Sequence, residues 1–246
     1  MRNELFTVTE NERIAKSVYR MRLEGETCGI APGQFVNIKL SGRFLRRPIS
    51  VCDIENGVLT LIYKAVGGGT VDMSLLPNGT ILDVLTGLGN GYDLAASGER
   101  PLLLGGGVGV PPLYLLAKRL IEQGEKPVAV LGFNTAEEAF YADEFSGLGC
   151  EVAIATVDGS LGVHGFVTDA AKAVCGDCTY YYACGPEPML RAVYHALDIN
   201  GELSFERRMG CGFGACMGCT CSTISGAKRI CREGPVLKKE EILWED

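Results

Sequence analysis

The first hundred residues alternate between apolar and polar positions in short runs that turn residues separate. Five such runs are FTVTEN, SVYRMRLEG, GQFVNIKL, GVLTLIYKA and TILDVLTGLG. Alternation with a period of two is typical of half-buried strands, and the sequence Pro77, Asn78, Gly79 is a turn signal between two of the runs. The pattern predicts a small antiparallel β-barrel over residues 1–97.

The pattern changes near Arg100, where strand-like and helix-like segments begin to alternate. PLLLGG is a short apolar run, and PPLYLLAKRLIEQG repeats apolar residues at helical spacing between two prolines and a final glycine. The runs PVAVLGF, CEVAIATV and TYYYACG are each followed by another helical segment. Strands that alternate with helices form parallel sheets, so residues 98–203 are predicted to form a nucleotide-binding α/β domain.

The remaining residues, 204–246, are rich in glycine and cysteine and leave few apolar residues for a core. Within them Cys211, Cys216 and Cys219 have the spacing C-x4-C-x2-C, and Cys231 follows. This spacing is typical of a plant-type [2Fe–2S] cluster, in which four thiolates hold two irons. We predict that these four cysteines are the cluster ligands, that Cys221 is spare, and that the bound cluster stabilises the segment.

Other interpretations of the cysteines stay open. A tetrahedral zinc site usually pairs two C-x2-C elbows, of which this segment has one, and inert thiols are a further possibility. In an extended segment Cys221 would face the same side as Cys219, so geometry alone does not exclude it as a ligand. Cys175 and Cys178 form another C-x2-C at a helix end, for which we expect a structural role.

Two strand-to-helix turns of the α/β domain have the composition of phosphate-binding loops. Glycines remove side chains where a pyrophosphate would approach, and a helix N-terminus favours negative charge. The residues concerned are Gly105, Gly106, Gly107 and Gly109 in the first turn and Cys184 and Gly185 in the second. Neither turn has the G-x-G-x-x-G or the P-loop pattern, and the alternatives are a tight turn and a buried cysteine.

A stretch without cations favours NADH over NADPH. No lysine or arginine occurs between Val128 and Ala171, although two strand ends, near Phe133 and Val157, fall in that range. A 2′-phosphate needs a cationic partner near such a strand end. We therefore expect NAD(H) to be the nucleotide that this domain binds.

The overall charge and the N-terminal sequence exclude several classes of protein. The net charge is −7, and the densest basic stretch, Arg43, Arg46 and Arg47, is too short to follow a nucleic acid backbone. The N-terminus has no apolar signal-peptide region, and no apolar run reaches the roughly 20 residues that a membrane span needs. We expect a cytoplasmic protein without nucleic-acid or membrane partners, in which the clustered ones among the eleven cysteines serve a metal or redox role.

Four motifs together resemble one known family. LRRPIS, GGGVGVPPL, CGPEPM and MGCGFGACMGCTC occur in the order and approximate spacing of the electron-transfer subunit of class 1B dihydroorotate dehydrogenase, a member of the ferredoxin-reductase superfamily. The resemblance covers nearly the whole chain. It implies FAD between the barrel and the α/β domain, one [2Fe–2S] cluster in the C-terminal segment, and NAD⁺ as the terminal electron acceptor.

The resemblance also implies a partner, an FMN-containing catalytic subunit that oxidises (S)-dihydroorotate to orotate in pyrimidine biosynthesis. Two copies of each subunit would form a heterotetramer, and electrons would pass from FMN to the cluster, to FAD and to NAD⁺. No catalytic acid or base is expected of this chain, because the cofactors carry the chemistry. Cys184 would lie near the nicotinamide.

The residues implied to contact FAD lie on two strands and one glycine-rich turn. They are Arg47, Pro48, Ile49, Ser50, Ile62, Tyr63, Lys64, Gly69 and Thr70. Ile49 stands where the wider superfamily usually has an aromatic residue, a departure that the dihydroorotate family shares. Lys64 stands where the family commonly has arginine.

Two other functions stay open. A small subunit of a ferredoxin–NADP or sulfide oxidoreductase of the same superfamily would share most of these motifs, but typically has a different cluster loop and needs a 2′-phosphate site. A non-enzymatic metal-binding module would make the flavin and glycine motifs coincidental.

Overall fold

The N-terminal strands close into a six-stranded antiparallel barrel in a computed structural model that describes residues 1–244. The strands are β1 (Arg2–Ala15), β2 (Val18–Glu24), β3 (Phe35–Ile38), β4 (Arg47–Glu55), β5 (Val58–Lys64) and β6 (Ile81–Leu88), and a helix α1 (Gly68–Ser74) follows β5. Their order around the barrel is β1-β2-β5-β4-β3-β6. Five of the six correspond to the alternating runs of the sequence. The sixth, β4, contains the RPIS stretch, whose proline and polar residues hide the strand pattern.

The second half of the chain forms a sheet with helices against it, which confirms the predicted fold class. Its strands are β7 (Pro101–Gly106), β8 (Val128–Phe133), β9 (Glu151–Thr156), β10 (Val163–His164), β11 (Tyr180–Cys184) and β12 (Gly201–Ser204), and its helices are α2 (Pro111–Glu122), α3 (Ala142–Leu148), α4 (Val167–Val174) and α5 (Glu187–Ala196). All pairs among these six strands are parallel. Within residues 1–244, no helix has the length and apolar character that crossing a membrane requires.

The C-terminal segment is joined to this sheet. It contains a two-stranded hairpin of β13 (Thr220–Thr223) and β14 (Gly226–Arg229), and a last strand β15 (Val236–Lys238) that pairs antiparallel with β12 at the sheet edge. Its buried side chains, among them Cys219, Ile230 and Leu237, belong to an apolar cluster that includes sheet residues. The segment therefore shares the core of the α/β domain, which the sequence did not predict.

Barrel and α/β domain meet along an apolar interface. Helix α2 packs across β4, and the cluster between them combines Cys52 and Ile62 of the barrel with Leu113 and Leu116 of the helix. At its edge Lys118 of α2 lies 3.3 Å from Asp53 of β4. The strand that is predicted to contact FAD is therefore held against the nucleotide-binding domain.

Strand β3 is buried on both faces, because the C-terminal segment covers its outer side. Val36 and Ile38 belong to the barrel interior. Phe35 belongs instead to the cluster that the sheet and the C-terminal segment share. The side chain of Asn37 contacts the cysteine loop, residues 206–234, which carry the four predicted ligands. The cysteine loop is thus seated on the barrel as well as on the sheet.

Candidate functional site

The four predicted cluster ligands form two pairs. The thiols of Cys211 and Cys216 contact each other, as do those of Cys219 and Cys231. A [2Fe–2S] cluster needs this arrangement, since each of its two irons takes two thiolates. Within residues 1–244, no three or more His, Cys, Asp or Glu side chains converge as the ligands of one single metal ion would. The donor set and its pairing fit the cluster.

Backbone N–H groups surround the first pair of sulfurs. The N–H groups of Ala215 and Cys216 lie 3.2 and 3.4 Å from the Cys211 sulfur, and that of Cys211 lies 3.5 Å from the Cys216 sulfur. Burial raises the pKa of Cys211, but the N–H groups of Phe213, Cys216 and Ala215 and the Cys216 thiol outweigh burial and lower the pKa to about 6. The loop therefore stabilises negative charge at the sulfur, as a cluster ligand requires.

The second pair of sulfurs is buried. Cys219 and Cys231 are each 2% exposed, and the Cys231 N–H lies 3.4 Å from the Cys219 sulfur. Burial, together with the neighbouring Cys219 thiol, raises the pKa of Cys231 to about 12. Cys216 is exposed, so one edge of the site faces solvent and the other faces the core.

Cys221 lies outside the two pairs. It is half-buried on β13, opposite Lys228 of β14, and it lines a cavity of about 730 Å³ together with Arg207 and Trp244. Burial raises the pKa of its thiol, while the Arg207 guanidinium acts against that rise. Its role as the spare cysteine stays a prediction that this placement supports.

Arg47 and the glycine turn after β5 are in contact. A Cβ atom at Gly69 would lie 1.9 Å from the Arg47 Nε, so the guanidinium packs on the bare glycine backbone. The Thr70 hydroxyl accepts from the Val66 and Gly67 N–H groups and donates to the Gly67 carbonyl, which closes the turn. This arrangement places a cation beside glycine backbone that carries no side chain, and it suits a diphosphate.

The other predicted flavin residues divide between two sides of the barrel wall. Pro48, Ile49 and Ser50 are half-buried on β4. The Tyr63 ring is instead inside the barrel, where its hydroxyl donates to Asn11 at 2.9 Å. The structure therefore does not bring the Tyr63 side chain to the barrel surface, and only its main chain is left for a cofactor contact.

Lys64 and Ile62 face the α/β domain. Lys64 lies 3.2 Å from Glu138, which follows β8, and this ion pair joins the barrel to the second domain. Ile62 is buried in the interface with α2. Contact of all these residues with FAD stays a prediction.

A cavity of about 540 Å³ lies at the carboxyl ends of the central strands, where open α/β sheets bind ligands. It extends from the turn after β7 to the N-terminus of α5 and reaches Lys64 on the barrel. Of the residues predicted to bind NAD, those that line it are Gly106, Gly107, Gly109 and Gly185. The cavity thus connects the predicted dinucleotide loops with the predicted flavin side.

Gly105 and Cys184 lie just behind the cavity wall. A Cβ at Gly105 would lie 2.8 Å from the Val110 side chain, so this glycine serves packing. A Cβ at Gly109 would lie 2.2 Å from the Cys184 carbonyl, and Cys184 itself is 2% exposed. Burial, with the Glu206 charge nearby, raises the pKa of the Cys184 thiol to about 12, so it is protonated and unreactive.

Two carboxylates on the cavity wall were not among the predicted site residues. Glu138 pairs with Lys64, and Glu206 follows β12 next to Cys184. Loss of water around the carboxyl raises the pKa of Glu206. Glu206 could have been predicted from the sequence, because it comes just after a strand of a parallel sheet. Glu138 could not, because its place in the site results from its contact with Lys64 of the barrel.

Comparison with known proteins shows which family this chain resembles in sequence. A model described as the iron-sulfur cluster binding domain of dihydroorotate dehydrogenase B matches residues 206–243. A protein of Fusobacterium nucleatum is 43% identical, over 98% of this chain and 99% of its own length. One of Geobacillus sp. is 45% identical, over 99% of both chains. Both relatives carry the description dihydroorotate dehydrogenase B (NAD(+)), electron transfer subunit.

Solved structures share the fold. The structure described as an NADH-dependent reduced ferredoxin-NADP oxidoreductase superposes with a TM-score of 0.88 at 30% identity, covering 97% of this chain and 90% of that one. The ferredoxin reductase of a carbazole 1,9a-dioxygenase superposes with a TM-score of 0.68 at 20% identity, covering 79% of this chain and 64% of that one. The second likeness concerns the fold alone.

The barrel, the parallel sheet with its cavity and the cysteine loop define a reductase module of the ferredoxin-reductase type with an added iron–sulfur segment. Identity over nearly the full length then fixes the family within that class. The chain belongs to the electron transfer subunits of dihydroorotate dehydrogenase B (NAD(+)). The predicted family and the predicted iron–sulfur segment are thereby confirmed.

Proposed function

We propose that this chain accepts electrons from an FMN-containing dihydroorotate dehydrogenase subunit and delivers them to NAD⁺. The observation that supports this most is the presence, in one molecule, of a paired four-cysteine loop and a nucleotide-sized cavity on the same reductase scaffold. The described function of the full-length relatives agrees with it. Bound FAD supplies the exchange between single electrons and a hydride that such a relay needs.

The residues of the chain would bind and orient these groups. Arg47 and the backbone at Gly69 would hold the flavin diphosphate, and the glycines after β7 would admit the dinucleotide. Cys211, Cys216, Cys219 and Cys231 would hold the two irons. Lys64 and Glu138 join the barrel to the α/β domain at the cavity rim. This ion pair would keep the FAD and NAD sites at a fixed position relative to each other.

Preference for NAD(H) over NADP(H) follows from the charges of the cavity. Among the described residues that line it, Lys64 is the one cation, and it is paired with Glu138. A 2′-phosphate would find no further cationic partner there. The missing cation argues against the ferredoxin–NADP reductase alternative. The NADH-dependent reduced ferredoxin-NADP oxidoreductase compared above shares the fold, so the fold alone does not decide between the two functions.

Electrons would enter at the exposed edge of the cysteine loop. Cys216 is exposed there. Two apolar residues close to it in sequence, Phe213 and Met217, are 43% and 54% exposed. Exposed apolar side chains next to a redox centre suit a protein partner. We propose that the partner is the FMN-containing subunit, in a heterotetramer of two plus two, and that the complex is cytoplasmic.

The visible spectrum of the anaerobically purified chain tests the proposal. Flavin and iron–sulfur bands should be present, and NADH should bleach both while NADPH leaves them unchanged. Bleaching by NADPH alone would favour the ferredoxin–NADP alternative, and a colourless protein that contains zinc would favour the metal-binding module. Mixing with the purified catalytic subunit and dihydroorotate should then produce NADH from NAD⁺.

A further inference from the structure

Asn37 is a buried polar residue between the barrel and the cysteine loop. It lies on β3, is 1% exposed, and its neighbours along the strand, Val36 and Ile38, are apolar residues of the barrel core. A bulge in the pairing of β3 with β6, between Phe35 and Asn37, changes the local strand register here. Side chains alternate between the two faces of a strand, so Asn37, between the inward-facing Val36 and Ile38, faces away from the barrel core.

The amide of Asn37 contacts the first cluster ligand. Its Nδ2 donates to the main-chain carbonyl of Cys211 at 3.2 Å. Gly212, the next residue, leaves room for this contact, because a Cβ there would lie 2.2 Å from the same nitrogen. Gly212 also has a φ of +77°, which side chains rarely tolerate. Loop and amide therefore fit each other.

Burying the Asn37 amide costs free energy that a residue with a purely structural role would not need to spend. The Asn37 Oδ1 is buried and has no hydrogen-bond partner among residues 1–244. A buried polar atom without a partner costs about 1–3 kcal/mol, which an apolar residue at this position would avoid. The Asn37 main chain is itself held, because Arg46 donates to its carbonyl at 3.2 Å and pairs with Asp83 at 2.8 Å.

Asn37 also lies beside the predicted flavin strand. Its Cα partner in the β3–β4 ladder is Pro48, between Arg47 and Ile49. One residue thus connects the RPIS strand, through the ladder, with the carbonyl of Cys211. Other links between barrel and C-terminal segment, such as those of Asn90, attach to the end of the segment rather than to a ligand.

We infer that Asn37 is a positioning residue for the iron–sulfur cluster, fixing the main chain of Cys211 relative to the flavin-binding strand. This rests on the proposed function, since it assumes that the four cysteines hold a cluster. Partners of metal ligands commonly change metal affinity by about 10–100-fold when they are removed. Loss of the amide should therefore loosen the cluster without removing any ligand.

The test compares Asn37→Ala and Asn37→Leu with the wild type and with Thr60→Val, a buried polar-to-apolar change on β5. Iron, sulfide and flavin are quantified, iron release to a chelator is timed, and the EPR spectrum of the dithionite-reduced protein is recorded. Both Asn37 variants should bind flavin normally, release iron about tenfold faster, and show altered EPR g values. Thr60→Val should match the wild type in each measurement.

Asn37→Leu keeps the branched shape and the number of heavy atoms of the side chain, and it guards against a fold defect caused by the cavity in Asn37→Ala. Wild-type iron release and EPR spectra in both variants would overturn the inference while leaving the proposed function intact. Failure of both to fold, with Thr60→Val folded, would also overturn it, because the role would then be general packing. A wild-type chain without iron would overturn the proposed function itself.

Discussion

Cys219 and Cys221 are two residues apart, and their surroundings differ. The Cys219 sulfur accepts from the Cys231 N–H in a buried position. Cys221 is half-buried beside Arg207 and lines the larger cavity, and the nearby Cys219 thiol adds to the rise that burial causes in its pKa. Spacing alone separates them in the sequence, and the assignment of Cys219 as a ligand and Cys221 as spare stays a prediction.

Cys219→Ser should abolish cluster assembly, because the second iron would lose one of its two thiolates. Cys221→Ser should leave the cluster intact, since that thiol is outside both pairs. Iron and sulfide analysis with the visible spectrum would measure both. Iron loss from the second variant and retention in the first would reverse the ligand assignment.

Glu202 gives the stability of the fold a pH dependence. It is a 3% exposed residue on β12, and burial raises its pKa from 4.5 to about 7, although the Asp93 N–H, at 2.9 Å from its carboxyl, acts against that rise. Between these two values the folded state holds a proton that the unfolded state has lost. Stability therefore falls as the pH rises from about 4.5 to about 7.

Glu202→Gln should remove this part of the pH dependence, because the amide stays neutral and keeps an oxygen for the Asp93 N–H. We expect the variant to melt higher than the wild type above pH 7 and similarly near pH 4.5. Thermal unfolding across that range would measure it. Parallel curves for the two proteins would contradict the assignment.

At the scale of elements, β4 and α1 meet at a contact that a single methyl group would break. Arg47 begins β4, and Gly69 lies in the first turn of α1. Gly67, the residue before the helix, has open space around it and an ordinary φ of −125°. The two glycines form a matched pair for mutation.

Gly69→Ala should displace the Arg47 guanidinium, because the added Cβ would lie 1.9 Å from its Nε. We expect the purified protein to carry less flavin, while its cluster content is unchanged. Gly67→Ala should bind flavin normally. Equal flavin content in the two variants would show that this contact does not serve the cofactor.

Local and long-range elements differed in how well the sequence predicted them. The cysteine spacing, the glycine turns and most strands depend on residues close in sequence, so their patterns were visible. Strand β15 has three residues, and it exists because it pairs with β12 at the sheet edge. The Asn37–Cys211 contact joins residues 174 positions apart, and no local pattern reports such a contact.

Tyr63 shows the same limit inside the predicted site. Family resemblance named it as a flavin residue, and that stays a prediction for its main chain. The strand alternation places the ring in the barrel interior with Asn11, while Lys64 and Ile62 face outward. Alternation along β5 was visible in the sequence, but which face would be the inside required the closed barrel.

At the scale of the whole molecule, Asn90 attaches the C-terminal segment to the end of the barrel. Its N–H donates to the Gly234 carbonyl at 2.6 Å, its Nδ2 donates to the Val236 carbonyl at 2.7 Å, and its Oδ1 accepts from the Val236 N–H at 3.0 Å. These bonds lie at the start of β15. The barrel and the sheet therefore both hold the end of this segment.

Asn90→Ala should lower the free energy of unfolding by about 1–3 kcal/mol, because it leaves the Val236 main-chain groups without these partners. Trp244, the single tryptophan, packs against Phe205 and reports on this region by its fluorescence. Urea unfolding should therefore begin earlier by fluorescence in the variant. Asn78→Ala, in an exposed turn, is the control and should unfold like the wild type.

The pairing of β12 with β15 means that the cysteine loop leaves the sheet and returns to it on neighbouring strands. Residues 206–234 therefore form a loop whose two ends are held together by the hydrogen bonds between β12 and β15. The β12–β15 pairing should therefore hold the two ends of the loop in place even in a chain that carries no cluster.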